Sequence, residues 1–146
     1  WRLRNARLRV ISGAFLPIQA GLNAKLGKAG QSAVHASLTS FIVGTLALGL
    51  YVLVTRQAVS WEGLKAAPAY AWMGGLLGAF YVTVIVLAFP QLGPGLTFGL
   101  VVTGQMVFSL ILEHYNILVA SPSPISWQKI LGVALIVGGV LLIRKV

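Results

Sequence analysis

Five long apolar stretches, separated by short polar or Pro/Gly-rich segments, fill nearly all of the chain. They cover approximately residues 8–26, 33–54, 71–89, 95–115 and 127–143. A helix needs about 20 predominantly apolar residues to cross a bilayer, and fewer when basic side chains at its ends reach the interface. Strands of a lipid-embedded barrel would alternate apolar and polar residues, whereas Ile130–Ile143 does not alternate. The pattern therefore predicts an all-α membrane protein, a bundle of five transmembrane helices.

The connections between the apolar stretches are short. Residues Pro90–Gly95 include two prolines and two glycines, which indicates a tight reversal between the third and fourth spans. Ser121–Pro124 interrupts the chain before the last span. Because no segment is long enough to form a separate soluble domain, the sequence predicts one transmembrane domain over residues 1–146.

The composition supports a protein dissolved in lipid. Hydrophobic residues make up 58% of the chain and charged residues only 9%, against about 25% charged in a soluble domain. The only carboxylates are Glu62 and Glu113, and there is no cysteine. No His, Cys or carboxylate cluster predicts a metal site, and no paired acids or nucleophile–base pair predicts catalysis. We therefore expect a protein that is not an enzyme and needs no cofactor.

The net charge of +9 could indicate nucleic-acid binding in a soluble protein. Here the basic residues lie at helix ends, where membrane topology explains them, so we expect no nucleic-acid partner. With the N-terminus in the cytoplasm, seven basic residues fall on that side and four on the other. The seven are Arg2, Arg4, Arg7, Arg9, Arg56, Lys65 and Lys129, and the four are Lys25, Lys28, Arg144 and Lys145. Without the first nine residues the count is three against four, so the orientation depends on the arginine-rich start and dual topology is a real alternative.

The arginine-rich start followed by an apolar run also has features of a signal peptide. Pro17, Gln19 and Asn23 interrupt the apolar core, and four further spans follow, so a first membrane span is predicted instead. Since no initiator Met is present, we expect the true N-terminus to have been trimmed.

Two amides on the first span are candidates for contact with a substrate. Gln19 and Asn23 stand four residues apart and so share one helical face. Pro17 removes a backbone hydrogen bond and can kink the helix, which frees carbonyl groups. The pattern is typical of a helix that lines a substrate path; the alternative is interhelical hydrogen bonding, worth under about 1 kcal/mol in membranes.

The fourth span carries Gln105, Ser109 and Glu113 at intervals of four residues. An ionisable residue inside a membrane is a functional candidate by default. If the helix continues for another turn past Tyr115, Glu113 lies within the membrane and could exchange a proton for a cationic substrate. If it stops there, Glu113 lies at the interface and pairs with Lys129 or a lipid headgroup. The sequence leaves both possibilities open.

The order and spacing of several motifs resemble one transporter family. The motifs are residues 13–27 (GAFLPIQAGLNAKLG), 40–45 (SFIVGT), 74–82 (GGLLGAFYV), 90–93 (PQLG) and 104–105 (GQ). This pattern resembles the five-helix, half-size branch of the drug/metabolite transporter superfamily, often called YdcZ-like. One departure is Glu113, followed by His114, Tyr115 and Asn116, where that branch usually shows Asp, an apolar residue and Gly.

The resemblance implies a multi-pass protein of the bacterial inner membrane that exports a small metabolite or lipophilic cation. Transporters commonly place their site between two inverted halves, so a single half is expected to act as an antiparallel homodimer among membrane lipids. On this reading Gln19, Asn23, Gln105 and Tyr81 contact the small-molecule substrate. Glu113 becomes a proton-coupling or gating group.

The last span, Ile130–Ile143, is similar to the final helix of the small multidrug resistance family, which carries the contact of an antiparallel dimer. This similarity implies that Gly132, Gly139 and Val140 form the dimer contact, since small residues let helices approach closely in lipid. The alternative is packing against a helix of the same chain. That family places its exchanging Glu on the first helix, where this chain has Gln19 and no acid.

Two other functions are compatible with the sequence. A non-transporting membrane scaffold, or one subunit of an obligate heteromeric complex, would also be small, apolar and multi-spanning. A passive channel is disfavoured because no ring of charges or long polar face is present.

Overall fold

The computed structural model describes residues 2–119 and 123–144, with side chains from Ala6 onward. Six helical segments follow one another, and the described residues include no strand. They are α1 (Arg2–Ala29), α2 (Ala33–Thr55), α3 (Trp61–Ala66), a 3₁₀ helix (Ala69–Met73), α4 (Gly74–His114) and α5 (Trp127–Arg144). The predicted all-α fold is confirmed. Of the positions singled out in the sequence, Trp1, Ser121, Pro122 and Lys145 lie outside the described residues, as do the side chains of Arg2 and Arg4.

Helix α4 contains one break. At Gly93 the backbone has φ +75° and ψ 166°, a conformation that essentially only glycine adopts. The break divides α4 into α4a (residues 74–92) and α4b (residues 94–114), which correspond to the predicted third and fourth spans. The break thus lies within the predicted Pro90–Gly95 connection, although both prolines of that segment are accommodated in helix.

Three helical stretches of the described chain are long and apolar enough to cross a membrane. They are Ala33–Thr55, Ala69–His114 and Trp127–Arg144. As one straight helix, 46 residues would extend about 70 Å, more than twice the hydrocarbon thickness of about 30 Å. The break at Gly93 is therefore needed for Ala69–His114 to supply two spans. Helix α1 is long enough, but Gln19, Asn23 and its basic residues lower its hydropathy.

A three-residue turn joins α1 to α2. Gln31 has a positive φ of 52°, and the Ser32 amide donates to the Gly27 carbonyl oxygen at 3.0 Å, which closes α1 with a Schellman motif. Ser32 also caps α2, because its hydroxyl oxygen accepts a hydrogen bond from the His35 amide at 3.2 Å. One serine thus satisfies backbone groups at the end of one helix and at the start of the next.

Small residues allow α1 to pack closely in the first part of the chain. Ala20, Ala24 and Gly27 lie on one face of α1 and are buried. A Cβ added at Gly27 would lie 3.5 Å from the Cβ of Ala36 on α2 and 3.1 Å from Cγ1 of Val86 on α4a. Close backbone approach of this kind is the usual basis of helix association in lipid.

The contacts divide the chain into two compact units. The first, Trp1–Gln91, contains α1, α2, α3 and α4a, and the second, Leu92–Val146, contains α4b and α5. In the second unit Val140 of α5 packs against Gly99 of α4b. The expectation of one transmembrane domain over residues 1–146 stays a prediction.

The chain between α2 and α4 is more ordered than the sequence indicates. Arg56, with a positive φ of 48°, ends α2. Ser60 then starts the short helix α3 by accepting a hydrogen bond from the Gly63 amide at 3.1 Å. Glu62 in the first turn and Lys65 in the last match the helix dipole. This capping chemistry explains a helix that apolar periodicity alone does not predict.

Candidate functional site

The polar face of α1 lies beside α2 and borders a cavity of about 330 Å³. Gln19 and Asn23 line it from α1, and Ser40 lines it from α2. Its other walls are apolar: Phe15, Leu16, Ile18 and Leu22. The volume is at the lower end of the range of about 300–1,000 Å³ typical of small-molecule sites. The structure thus brings the two predicted amides of α1 to one cavity.

A second cavity, of about 230 Å³, adjoins the same residues. Gln19 and Ser40 line it together with Phe41, Gly44, Thr45 and Leu48. Because both cavities share Gln19 and Ser40, we call the two together the Gln19 groove. A few polar groups set among apolar and aromatic walls are typical of a small-molecule site.

Asn23 is the most informative residue of the groove. It is only 6% exposed, and its side-chain nitrogen Nδ2 has no hydrogen-bond partner in the described structure. Leaving a buried donor unpaired costs about 1–3 kcal/mol.

Small residues on α2 open the groove. Ser37, Ser40 and Gly44 follow at helical spacing, so they share one face of the helix. Ser37 is buried, and its hydroxyl group donates to the Ala33 carbonyl oxygen at 3.0 Å. Ser40 borders both cavities. Sequence reasoning missed Ser40 and Thr45 as lining residues; the signal was this small, polar stripe opposite Gln19.

Two other predicted substrate residues lie away from the groove walls. Tyr81 on α4a is half-buried, and its hydroxyl oxygen has no partner in the described structure. It does not line either cavity of the groove. Gln105 lies on α4b in the second unit and is exposed. The roles given to Tyr81 and Gln105 stay predictions.

Thr97 on α4b is a buried polar residue that sequence reasoning missed. It is 3% exposed, and its Oγ1 has no partner among the described residues. Thr83 and Thr103 each donate to the carbonyl oxygen four residues earlier, at 2.8 and 2.9 Å. For Thr97 that position is Gly93, where the helix is broken. A threonine four residues after a glycine that interrupts a helix can therefore be predicted to lack the usual hydrogen bond from its hydroxyl group to the helix backbone.

Glu113 forms an ion pair near the end of α4b. Its Oε2 lies 2.6 Å from Nζ of Lys129, and the two side chains are 36% and 27% exposed, respectively. Lys129 Nζ also donates to Oγ of Ser123 at 2.7 Å and to the Ser123 carbonyl oxygen at 3.2 Å. The pair links the end of α4b to the first turn of α5.

The end of α4b bears on the two possibilities left open for Glu113, whose role in coupling or gating stays a prediction. The helix stops at His114, and Asn116 takes a positive φ of 53°. The Ile117 amide donates to the Leu112 carbonyl oxygen at 2.9 Å, which completes a Schellman motif. Glu113 therefore lies in the last turn of the helix and pairs with Lys129.

The three predicted dimer residues of α5 have different surroundings. Gly132 and Gly139 are exposed, and a Cβ added at either would meet no atom within 4 Å. Val140 is 7% exposed and covers Gly99 of the same chain, as the alternative interpretation expected for this position. The dimer contact at Gly132 and Gly139 stays a prediction.

A third cavity, of about 290 Å³, lies at the α1–α2 turn. Lys28, Gln31, Ser32 and Gln91 provide its polar lining. Within the described residues, no group of three or more His, Asp or Glu side chains could hold a metal ion.

Comparison with known proteins identifies the family. No curated protein and no solved structure matches the chain. A family model described as "Putative inner membrane exporter, YdcZ" matches residues 6–142, and this confirms the resemblance found in the sequence and the multi-pass inner-membrane location. The chain belongs to the YdcZ family of membrane transporters, within the drug/metabolite transporter superfamily.

Proposed function

We propose that this protein is a secondary transporter that exports a small metabolite or lipophilic cation as an antiparallel homodimer. The observation that carries the proposal is Asn23, a buried amide with an unpaired donor beside a cavity in a chain of an exporter family. In lipid, an unsatisfied polar group is costly and marks a functional site by default.

In the proposed mechanism, the Gln19 groove supplies the substrate contacts. Gln19, Asn23 and Ser40 offer amide and hydroxyl groups, while Phe15 and Phe41 contribute apolar contact. Gln105 and Tyr81 add polar groups in the assembled dimer. A second chain in the opposite orientation completes the cavity, as in transporters built from two inverted repeats.

The proposed dimer joins through α5. Gly132 and Gly139 leave open space on the exposed surface of this helix, which is what a close helix–helix contact in lipid requires. Val140, next to Gly139 in the sequence, packs over Gly99 of α4b in the same chain and so holds α5 against α4b. The ion pair of Glu113 and Lys129 acts as a gate, because its rupture frees the end of α4b from α5.

The site assignment is tested with Asn23→Leu and Gln19→Leu. Culture media of cells that produce the wild-type protein, each variant or no transporter are compared by untargeted mass spectrometry. Compounds that accumulate outside only with the wild-type protein are the exported solutes, and both variants should lose them. The matched control is Gln57→Leu, which replaces an exposed glutamine beyond α2. Export at wild-type rates in both groove variants would remove the assignment.

The orientation of the chain in the membrane is tested in a second experiment. Because the chain has no cysteine, one introduced cysteine is the only thiol that can be labelled. A single cysteine introduced by Gln57→Cys can be labelled with an impermeant thiol reagent in intact and in opened cells. Labelling of about half the copies from each side is expected for an antiparallel homodimer. Labelling from one side only would require a different protein as the inverted partner.

A further inference from the structure

We infer that the Gln19 groove selects an uncharged solute that carries a hydrogen-bond acceptor, and that it discriminates against cations. This inference rests on the proposed function and narrows its substrate class. It depends on the charges around the groove, on the pairing of Glu113 and on the unpaired donor of Asn23.

The groove has no negative charge to receive a cation. Every residue that lines its two cavities is uncharged. The first unit of the chain contains a single acid, Glu62, on the separate helix α3. The nearest charges along α1 are Lys25 and Lys28, which raise the energy of a cation rather than lower it.

The other acid of the chain is already occupied. Glu113 is paired with Lys129 at 2.6 Å, and the same holds in a second copy of the chain. A cation that used Glu113 would have to displace Lys129 and leave an ammonium group without its partner. Breaking such a partly buried pair is unfavourable.

Aromatic side chains do not change this conclusion. Phe15 and Phe41 border the groove, and their ring faces attract cations. That attraction is weaker than the penalty for moving an uncompensated charge from water into a low-dielectric site. An uncharged solute gains the apolar contact with these rings without that penalty.

The polar groups of the groove specify an acceptor. Asn23 lines the groove, and its Nδ2 is a buried donor without a partner in the described structure. Once a side-chain rotation turns this donor toward the groove, a solute oxygen or nitrogen lone pair removes an existing penalty. Gln19 and Ser40 each offer both a donor and an acceptor and therefore tolerate several arrangements of the same solute. An acceptor-bearing neutral molecule satisfies all three residues.

The test adds the missing charge with almost no change in shape. Gln19→Glu replaces an amide by a carboxylate of the same size, and Gln57→Glu adds the same charge at an exposed position far along the chain. Each protein, reconstituted in lipid nanodiscs, is titrated with radiolabelled tetraphenylphosphonium. We expect no saturable binding to the wild-type protein or to Gln57→Glu. Gln19→Glu should bind saturably, with a dissociation constant at least about tenfold below the highest concentration tested on the wild-type protein, a difference of about 1.4 kcal/mol, and this binding should weaken at acidic pH.

Two results would overturn the inference. One is saturable binding of tetraphenylphosphonium to the wild-type protein with an affinity within a few-fold of Gln19→Glu. The other is the absence of any gain in Gln19→Glu, since the charge of this residue would then not set the class of solute.

The export experiment separates this inference from the proposed function. If the compounds exported by the wild-type protein are permanent cations, the transporter assignment stands and the selectivity is wrong. If the wild-type protein exports nothing, the transporter assignment fails, and the groove-selectivity inference that rests on it falls as well. Neutral acceptor-bearing compounds, lost in Asn23→Leu, support both.

Discussion

The contact between α4b and α5 can be tested at a single glycine. Replacement of Gly99 by alanine would put a Cβ at 2.9 Å from Cγ2 of Val140, 3.4 Å from Cγ1 and 3.6 Å from its Cβ. Carbon atoms pack best at about 3.5–4.0 Å, so the two helices would have to separate by roughly 0.6 Å. Rotation of Val140 gives little relief, because a β-branched side chain in a helix has one strongly preferred rotamer and the whole side chain covers Gly99.

Two opposing effects determine the magnitude. Overpacking of this kind costs about 1–3 kcal/mol, while replacement of glycine by alanine inside a helix gains up to about 1 kcal/mol. The variant Gly104→Ala makes the same chemical change on α4b itself, at a position with open space. The difference between the two variants therefore isolates the clash, and we expect Gly99→Ala to be less stable by about 1–3 kcal/mol.

The free energy of unfolding in mixed micelles, followed by circular dichroism as SDS is added, measures this difference. The double variant Gly99→Ala/Val140→Ala provides a second check, since truncation of Val140 removes both Cγ atoms that collide. Its stability should be no lower than that of Val140→Ala alone. Equal stabilities for Gly99→Ala and Gly104→Ala, or a penalty that survives in the double variant, would refute the packing described for the second unit.

Further substitutions probe the ion pair, the break in α4 and the Ser32 cap by the same measurement. Glu113→Gln and Lys129→Met should each lower the free energy of unfolding by about 1–2 kcal/mol, between surface and buried ion pairs. Their double variant should lose little more, and strictly additive losses would contradict a direct pair. Gly93→Ala should lower the free energy of unfolding by about 1–3 kcal/mol, because alanine is strained at this positive φ. Gly104→Ala, at a helical position with open space, should not lower it. Equal free energies of unfolding for the two variants would mean that the break does not need glycine. Ser32→Ala should lower the free energy of unfolding by about 1 kcal/mol, whereas Ser32→Asp, which keeps a capping oxygen, should lower it by much less. No loss in Ser32→Ala would mean that the cap is dispensable.

Apolar length and turn residues were sufficient to predict most of the helices. The predicted second and fifth spans agree with α2 and α5 within one residue at each end. Residues Pro90–Gly95 predicted a tight reversal, but Pro94 is the first residue of α4b, and proline is tolerated in the first turn of a helix. The break therefore narrows to Gly93, the residue with positive φ. Helix α3 was missed because it depends on the cap at Ser60 and buries no apolar face.

Within the groove, Gln19 and Asn23 share one face of α1, as their four-residue spacing implies, and both border one cavity; their contact with a substrate stays a prediction. Ser40 could not be paired with them from sequence alone, because the register between α1 and α2 depends on the three-residue turn and on contacts such as Gly27 with Ala36. The position of Glu113 depended on where α4b ends. Asn116 decides that end by adopting positive φ, which short polar residues do readily.

The turn at Ser32 also has a consequence for biosynthesis. Three residues cannot traverse a bilayer, so if α1 crosses the membrane as the sequence predicts, α2 must cross it in the opposite direction, whichever way the chain is inserted. Helix α1 is the more polar of the two. Separating it from α2 at the turn would break the hydrogen bonds of Ser32 that cap the C-terminus of α1 and the N-terminus of α2. Any orienting effect of the arginines in the first turns of α1 would then act on a hairpin rather than on a single helix, and the direction of α2 would follow from that of α1 during synthesis.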